Sequence, residues 1–580
     1  MKTSRLSAAA IAASALAFAV AVLPAAQAPP HAASNELITN AGWECVPGAR
    51  IDDGKLVISS AEGFAPLNDA AVRLQTGRDV TISVTVEADP SPGFAGLRFW
   101  NSQPGPGDAS GWYNTAPRIQ LGLAGRRVYA TIHDGTGSTP AFVYTGPQPV
   151  QGEVTIAAAH DVDAVVIRVN GAEVARTPVV GALTGGPLFF GPSVGKGKTL
   201  TVHRITVTDG AHPEGAEIVR AMAPAAPTGT GMTLRAAATA SGRLIGTAAN
   251  QRLLRWNQSV RDVAAREFNL LTGVDMFTFR VLHPVRNQYI FCGADQAVAF
   301  AEANGMRVNG GPGLLWGPNP AWLADGTFSR DELVSIMREH IQTVVGRYRG
   351  HVHIWQVANE ILEYNNTGRL LRDDQQIWMR IIGPEYLDMA FRWARDADPQ
   401  AILVLNEVGA EGARCAVHCG PGIADGSQNV KADAFYRLVK GMRSRGVPIN
   451  AVGMQTHWGA NRGYPEADPS SVAAQMRRLA EVGLDVYITE MDVPIQKPVT
   501  PAALAAQAKT YGQMLSVCLA APNCKGFTVF GVDDGHWAEP AFLARTHSPL
   551  QGQWVAPLLF DEAFRPKPAY DAVAAALRAR

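Results

Sequence analysis

The stretch RDELVSIMREHIQTVVGRYRGHVHIWQVANE, residues 330–360, changes character past its middle. Up to Gly350 its apolar residues recur as in an amphipathic helix. From His351 they run together as in a strand buried on both faces. That strand finishes on an amide and a carboxylate, Asn359 and Glu360. The same helix-then-strand order returns three times. EYLDMAFRWARDADPQ (385–400) precedes AILVLNE (401–407), KADAFYRLVKGMRSRGVPI (431–449) precedes NAVGMQTHWG (450–459), and SSVAAQMRRLAEVG (470–483) precedes LDVYITEMDV (484–493). Repeated units of this kind mean a parallel sheet, and residues 234–580 have room for a (β/α)8 TIM barrel with loop insertions.

A barrel accounts for polar residues at the ends of otherwise apolar strands. Barrel strands are buried on both faces, while active sites form where the strands end. Asn359 and Glu360, Asn406 and Glu407, Gln455 and His457, and Glu490 and Asp492 should therefore converge. Glu490 and Asp492 are two residues apart and share a face. One polar strand end is noise; four in register are a site.

Upstream the grammar is different. Residues 35–210 alternate and turn with no convincing long helix. DVTISVTVEA (79–88) and DAVVIRVNGAEVART (163–177) have period two, and Asn170-Gly171 is a hairpin signal. GPLFFGPSVGKGKTLTVHRITVTDG (186–210) supplies two further strands around a Gly-rich turn. An all-β jelly-roll sandwich is expected there, with carbohydrate binding as a candidate role. Trp100, Trp112 and Tyr113 are its candidate sugar-stacking residues, the alternative being that they fill the core. Residues 211–233, rich in Pro, Ala and Gly, read as the linker.

Basic and acidic residues balance at 51 each. Nothing in that balance calls for nucleic acid or an anionic membrane, and a neutral polymer suits it. Lys2 and Arg5 followed by an apolar run and Ala26-Gln27-Ala28 predict an export signal over residues 1–28. Pro29 is unfavourable just after such a cut, and an uncleaved anchor is the alternative. The expected location is outside the cell or in a periplasm, without membrane attachment once the signal is removed. Six cysteines fit an oxidising compartment. Cys415 with Cys419 and Cys518 with Cys524 are spaced to close small loops. Cys45 and Cys292 are left over, as buried free thiols or as a bridge between the halves.

Paired carboxylates over a barrel mouth point to glycoside hydrolysis. In the retaining form the two lie about 5–5.5 Å apart, one as acid/base and one as nucleophile. The acid must keep its proton near neutrality, and the nucleophile must stay ionised, helped by a neighbour such as His457. No nucleophile elbow, phosphate-cradling loop or Cys–His pair competes. His351 and His353 could bind a metal, but they open a strand, at the wrong end for chemistry. No metal or organic cofactor is implied. Asn-Glu occurs three times, at residues 35, 359 and 406, so Glu407 rivals Glu360 for the acid role.

The surrounding residues resemble glycoside hydrolase family 10, the endo-β-1,4-xylanase family. WQVANE (355–360) is similar to the family's W-D-V-V-N-E, and YITEMDV (487–493) to I-T-E-L-D-I. VGMQTHW, LNEVGAE, CKGFTVFGVDD and the carboxy-terminal PLLFDEAFRPKPAYDAV match further family stretches, from about Leu234 onwards. The resemblance implies Glu360 as acid/base and Glu490 as nucleophile. It also implies Asn359 on the sugar 2-hydroxyl, His457 against the nucleophile with Asp492 behind it, and Gln455 nearby. Trp322 and Trp537 would pack on the sugars. It further implies a Cys518–Cys524 disulfide, and it puts Glu407 where the family has an Asp that is not the acid.

The departures fall on sugar binding. TGVDMFT (272–278) stands for T-x-E-N-x-M-K, so Val274, Asp275 and Thr278 replace a Glu, an Asn and a Lys. Gly317 stands for a substrate-binding His and Phe530 for a Trp. The expectation is a secreted retaining hydrolase of a xylan-type polysaccharide. A family-10-like hydrolase of another polysaccharide, or a glycan-binding protein without turnover, are the alternatives. The retained Glu, His and Asp residues disfavour the last of these.

Overall fold

The computed structural model describes residues 36–579 apart from 61–71, 89–92, 101–116, 210–216, 219–231, 364–370, 373–376, 413–429, 459–466, 537–553 and scattered single positions or pairs. The export signal, Cys45, Trp112, Tyr113, the Cys415/Cys419 pair and Trp537 lie outside the described residues. No helix among those described is long and apolar enough to cross a membrane.

The amino-terminal half is a sandwich of two seven-stranded sheets. One runs in the order Ala49–Asp52, Lys55–Ser60, Lys198–Thr208, Thr81–Ala88, Val154–Asp161, Ala164–Val169, Ala172–Thr177. The other runs Glu217–Ile218, Val72–Thr76, Gly186–Val194, Phe94–Trp100, Arg118–Ala124, Arg127–His133, Phe142–Pro149. All their pairings are antiparallel. Alternate residues such as Ile82, Val84 and Val86 point inward and meet Leu97, Phe99, Ile119 and Leu121 of the facing sheet. Asn170 and Gly171 both adopt positive φ, 48° and 85°, as a two-residue hairpin turn demands. Trp100 is buried, yet it stacks on Phe189 outside that core. Glu217–Ile218, inside the stretch read as linker, pairs as an edge strand with Val72–Thr76.

From Leu234 the chain closes an eight-stranded parallel barrel. Its strands are β1 (Leu244–Ala249), β2 (Leu270–Gly273), β3 (Arg307–Gly310), β4 (Ile354–Asn359), β5 (Ile402–Glu407), β6 (Ala451–Met454), β7 (Asp485–Met491) and β8 (Cys524–Val529). The helices read from the sequence precede β4 to β7 as Arg330–Arg347, Tyr386–Ala397, Val430–Ser444 and Pro469–Glu481. The first of them begins where the Ser329 hydroxyl accepts the Glu332 N–H, relieving one of the free donors of the first turn.

The barrel interior is layered. Leu270, Ile354, Val404, Ala451 and Tyr487 form a small cluster separate from the main one between strands and helices. Two residues further along the same strands come Thr272, Gln356, Asn406, Gly453 and Thr489. The period of two in a strand puts these on the same side, so an apolar floor carries a polar layer towards the strand ends. Cys518 and Cys524 form the disulfide that the family resemblance implies, joining the end of helix Pro501–Ala520 to the start of β8. Cys292 is also disulfide-bonded, so its free-thiol reading is set aside. Beyond β8 the buried Lys567 ammonium donates to Asp534 at 2.9 Å and to the Ala556 and Leu558 carbonyls at 2.7 and 2.8 Å. That anchors the carboxy-terminal stretch beneath the turn after β8.

Ile354→Ala in the floor should cost about 2–5 kcal/mol in urea unfolding, because it leaves a cavity with no side chain free to fill it. A loss below about 1 kcal/mol would mean the floor is not close-packed.

Candidate active site

The four predicted strand ends do meet. Asn406, last but one in β5, stands at the centre. Its amide nitrogen donates to Asn359 Oδ1 at 2.9 Å and to Glu490 Oε1 at 2.7 Å. Its oxygen accepts the Thr489 hydroxyl at 2.7 Å. Gln455 donates to Asn359 Oδ1 at 3.1 Å and to Glu360 Oε1 at 3.0 Å. Glu360 and Glu490 are thus joined through three amides. Gly453 makes room for this arrangement: a Cβ there would sit 2.0 Å from Asn406 Oδ1.

Local irregularities aim the two acids. The β4–β5 register shifts between Gln356 and Ala358, and the β7–β8 register between Ile488 and Met491. Extra residues in a strand re-aim the side chains beside them, and here Asn359, Glu360, Thr489 and Glu490 are those side chains. Glu360 itself has φ 51°, and Thr456, between Gln455 and His457, has φ 59°. Neither is Gly, so both conformations are costly unless the surroundings hold them.

On the far side of Glu490, His457 Nε2 lies 3.6 Å from Glu490 Oε2, and Nδ1 lies 3.0 Å from Asp492 Oδ1. Burial alone would lower the imidazole pKa, but Asp492 and Glu490 together outweigh it and raise it well above the ordinary value. Burial pushes the Glu490 carboxyl up, opposed by His457 and by the Asn406 amide. His457 also meets Phe530 edge to face at 5.5 Å.

Glu407 is placed very differently from Glu360. It is fully buried, while Glu360 is partly exposed. Its Oε2 accepts the Ile361 and Leu362 N–H groups at 2.9 and 3.0 Å, and its Oε1 accepts the Val408 N–H at 3.1 Å and faces Lys431 at 2.9 Å. Burial pushes its carboxyl up against the pull of Lys431. With every lone pair engaged inside the protein, it has no path to a substrate. Glu411 Oε1 likewise accepts the Thr456 N–H at 3.0 Å and the Gly409 N–H at 3.1 Å.

A model of glycosyl hydrolase family 10 matches residues 233–576. The chain belongs to that family. It is 36% identical over 315 residues to endo-1,4-beta-xylanase B of Thermotoga neapolitana, covering 54% of this chain and 81% of the relative. Identity is 30% over 342 residues to endo-1,4-beta-xylanase B of Paenibacillus barcinonensis, covering 56% and 93%. Among solved structures, xylanase 10B from Thermotoga petrophila RKU-1 in complex with xylobiose is similar, with a TM-score of 0.53 at 32% identity, over 61% of this chain and 99% of that one. The protein is accordingly a glycoside hydrolase, and the sandwich lies outside the matched residues.

Two of the positions where this family 10 chain departs from the expected motifs, Asp275 and Thr278, have taken up internal bonds. The Thr278 hydroxyl donates to the Asp275 carbonyl at 2.7 Å, and Asp275 accepts the Gln251 N–H at 3.3 Å. Thr278 and Gly317 are buried. Trp322 donates from its indole to the His283 carbonyl at 3.0 Å and packs on Phe279, His283 and Phe328. His351 pairs with Glu302 and His353 accepts from the Val308 N–H, both at the opposite end of β4 from Glu360. Among the described residues no His, Cys, Asp and Glu group is arranged to hold a metal. Sequence reading left Thr489, Glu411 and Lys431 unassigned. Thr489 precedes Glu490 and was within reach of the strand-end argument; Lys431 stands far along the chain from any strand end and carried no such signal.

The raised pKa of His457 fixes the sign of a pH effect. Its ion pairs contribute full stability below the unfolded value, about 6.5, and that contribution fades as pH rises through the raised folded value. His457→Asn should therefore cost more in denaturant midpoint at about pH 6 than at about pH 10. An equal cost at both would show that the imidazole is neutral in the folded state throughout.

Proposed function

We propose that the protein is a secreted retaining hydrolase of a xylan-type β-1,4-linked polysaccharide, with Glu490 as nucleophile and Glu360 as acid/base. The observation that carries the reading is the hydrogen-bonded chain from Glu360 through Gln455, Asn359 and Asn406 to Glu490, backed by His457 and Asp492. Membership of family 10 and the endo-1,4-beta-xylanases among its relatives support the substrate class.

In the first step a Glu490 oxygen bonds to the anomeric carbon while the glycosidic C–O bond breaks. Glu360 gives its proton to the departing oxygen. In the second, Glu360, now a carboxylate, takes a proton from water. The water oxygen bonds to the anomeric carbon, and the bond to Glu490 breaks. Two inversions restore the original anomer. The nucleophile needs its charge in the resting state, and the His457 imidazolium and the Asn406 amide both favour it there. Asn359, held by Asn406 and Gln455, has its own amide nitrogen beside Glu360 at 3.4 Å, which supports the proposed role of meeting the sugar hydroxyl next to the cleaved bond. Trp322 and Trp537 are proposed as substrate-packing residues on the family resemblance.

A second reading, a substituted xylan or another β-glycan, is favoured by Thr278, whose hydroxyl is spent on Asp275 where a family Lys would reach for sugar.

Reducing-sugar release from purified xylan and a panel of other β-glycans tests both readings. Glu490→Ala and Glu360→Ala should each lower release by at least about 10³-fold, and NMR of fresh product should show the β anomer first. Undiminished activity in either variant would place the chemistry elsewhere, and release only from another glycan would select the second reading.

A further inference from the structure

Glu407 attracts attention as a buried carboxylate that the proposed chemistry does not use. It ends β5 beside the end of β4, and what it grips is backbone. Its Oε2 takes two consecutive N–H groups, those of Ile361 and Leu362, immediately after Glu360. The bond before them is also to this strand end, with the Glu360 N–H donating to the Asn406 carbonyl at 3.1 Å. Glu360 is thus clamped on both sides by neighbouring residues of β5, at the position where its own φ is 51°. A left-handed non-glycine residue persists only when its surroundings over-determine it. The second oxygen of Glu407 is tied to the Val408 N–H and to Lys431, which also lies buried. That fixes the group in orientation.

We propose that Glu407, held by Lys431, is a positioning residue for the acid/base. It fixes the turn at Glu360 so that the Glu360 carboxyl faces the glycosidic oxygen, and it touches no substrate itself. This rests on the assignment of Glu360 to the acid role. Glu490 and its partners His457, Asp492 and Asn406 make no bond to the Glu407 side chain among the described contacts. Loss of the clamp should therefore damage proton donation more than nucleophilic attack.

Leaving groups separate the two. A 2,4-dinitrophenyl β-xylobioside expels an anion that needs no proton, whereas the phenyl β-xylobioside needs the acid. Glu407→Gln puts an amide N–H₂ against N–H donors and breaks the clamp. It should lower kcat/KM on the phenyl glycoside by about 10²-fold while leaving the dinitrophenyl glycoside within about threefold of wild type. The double variant E407M/K431M removes the buried ion pair as a unit, so that no charge is stranded, and carries the same expectation if Glu407→Gln does not fold. Equal losses on both glycosides, or none on either, would overturn the positioning role while leaving the hydrolase intact. A wild type that cleaves neither glycoside would instead overturn the substrate and acid assignments, and this inference with them.

Discussion

The Asn406 amide is the interaction on which the site depends. Its two N–H groups go to two different strand ends, Asn359 on β4 and Glu490 on β7, and its oxygen is occupied by Thr489. An amide so bound cannot rotate without losing three partners at once. Its orientation in turn fixes which lone pair of Asn359 is left for Gln455, and Gln455 then reaches Glu360. Low dielectric strengthens each of these bonds and penalises any that is missing, so the network holds or fails together. The backbone has been shaped to suit it, since Gly453 on the intervening strand leaves the space that the Asn406 side chain fills.

Regular barrel geometry would not have aimed these groups. Parallel strands bring equivalent residues side by side, but the acids sit at register shifts in β4 and β7, and Glu360 and Thr456 are left-handed. Both left-handed turns have an N–H held by a carboxylate at or just past the end of β5, the Ile361 N–H after Glu360 by Glu407 and Thr456's own N–H by Glu411. The segment LNEVGAE therefore acts on both its neighbours, β4 and β6. Glu407 looks like a candidate for catalysis in the sequence, and in the fold both it and Glu411 hold backbone N–H groups.

Much of this was legible beforehand, for physical reasons. A strand buried on both faces has to be apolar, so a polar residue at its end stands out; that is how Asn359, Glu360, Gln455, His457, Glu490 and Asp492 were found. The period of two in Thr81–Ala88 and the Asn170-Gly171 turn likewise fixed sandwich strands without any coordinates. Contacts between distant segments were not legible. Nothing near Lys431 announces that it faces Glu407, and nothing near Lys567 announces that it joins Asp534 to two carbonyls. The residues Glu217–Ile218 looked like linker because two residues are too short for any period, and their strand exists only through pairing with Val72–Thr76. Cys292 could not be resolved from spacing, because no other cysteine stands near it in the chain.

The apolar floor of Leu270, Ile354, Val404, Ala451 and Tyr487 has a consequence for traffic. It makes the barrel a blind well. An apolar layer gives water little reason to enter it, so in the proposed reaction sugar, hydrolytic water and both products share the mouth at the strand ends. In the proposed double displacement the second step therefore takes its water from that mouth and not from behind the covalent sugar. On that proposal the step waits for the departing piece of polysaccharide to leave, and departure and hydration become consecutive events at a single doorway.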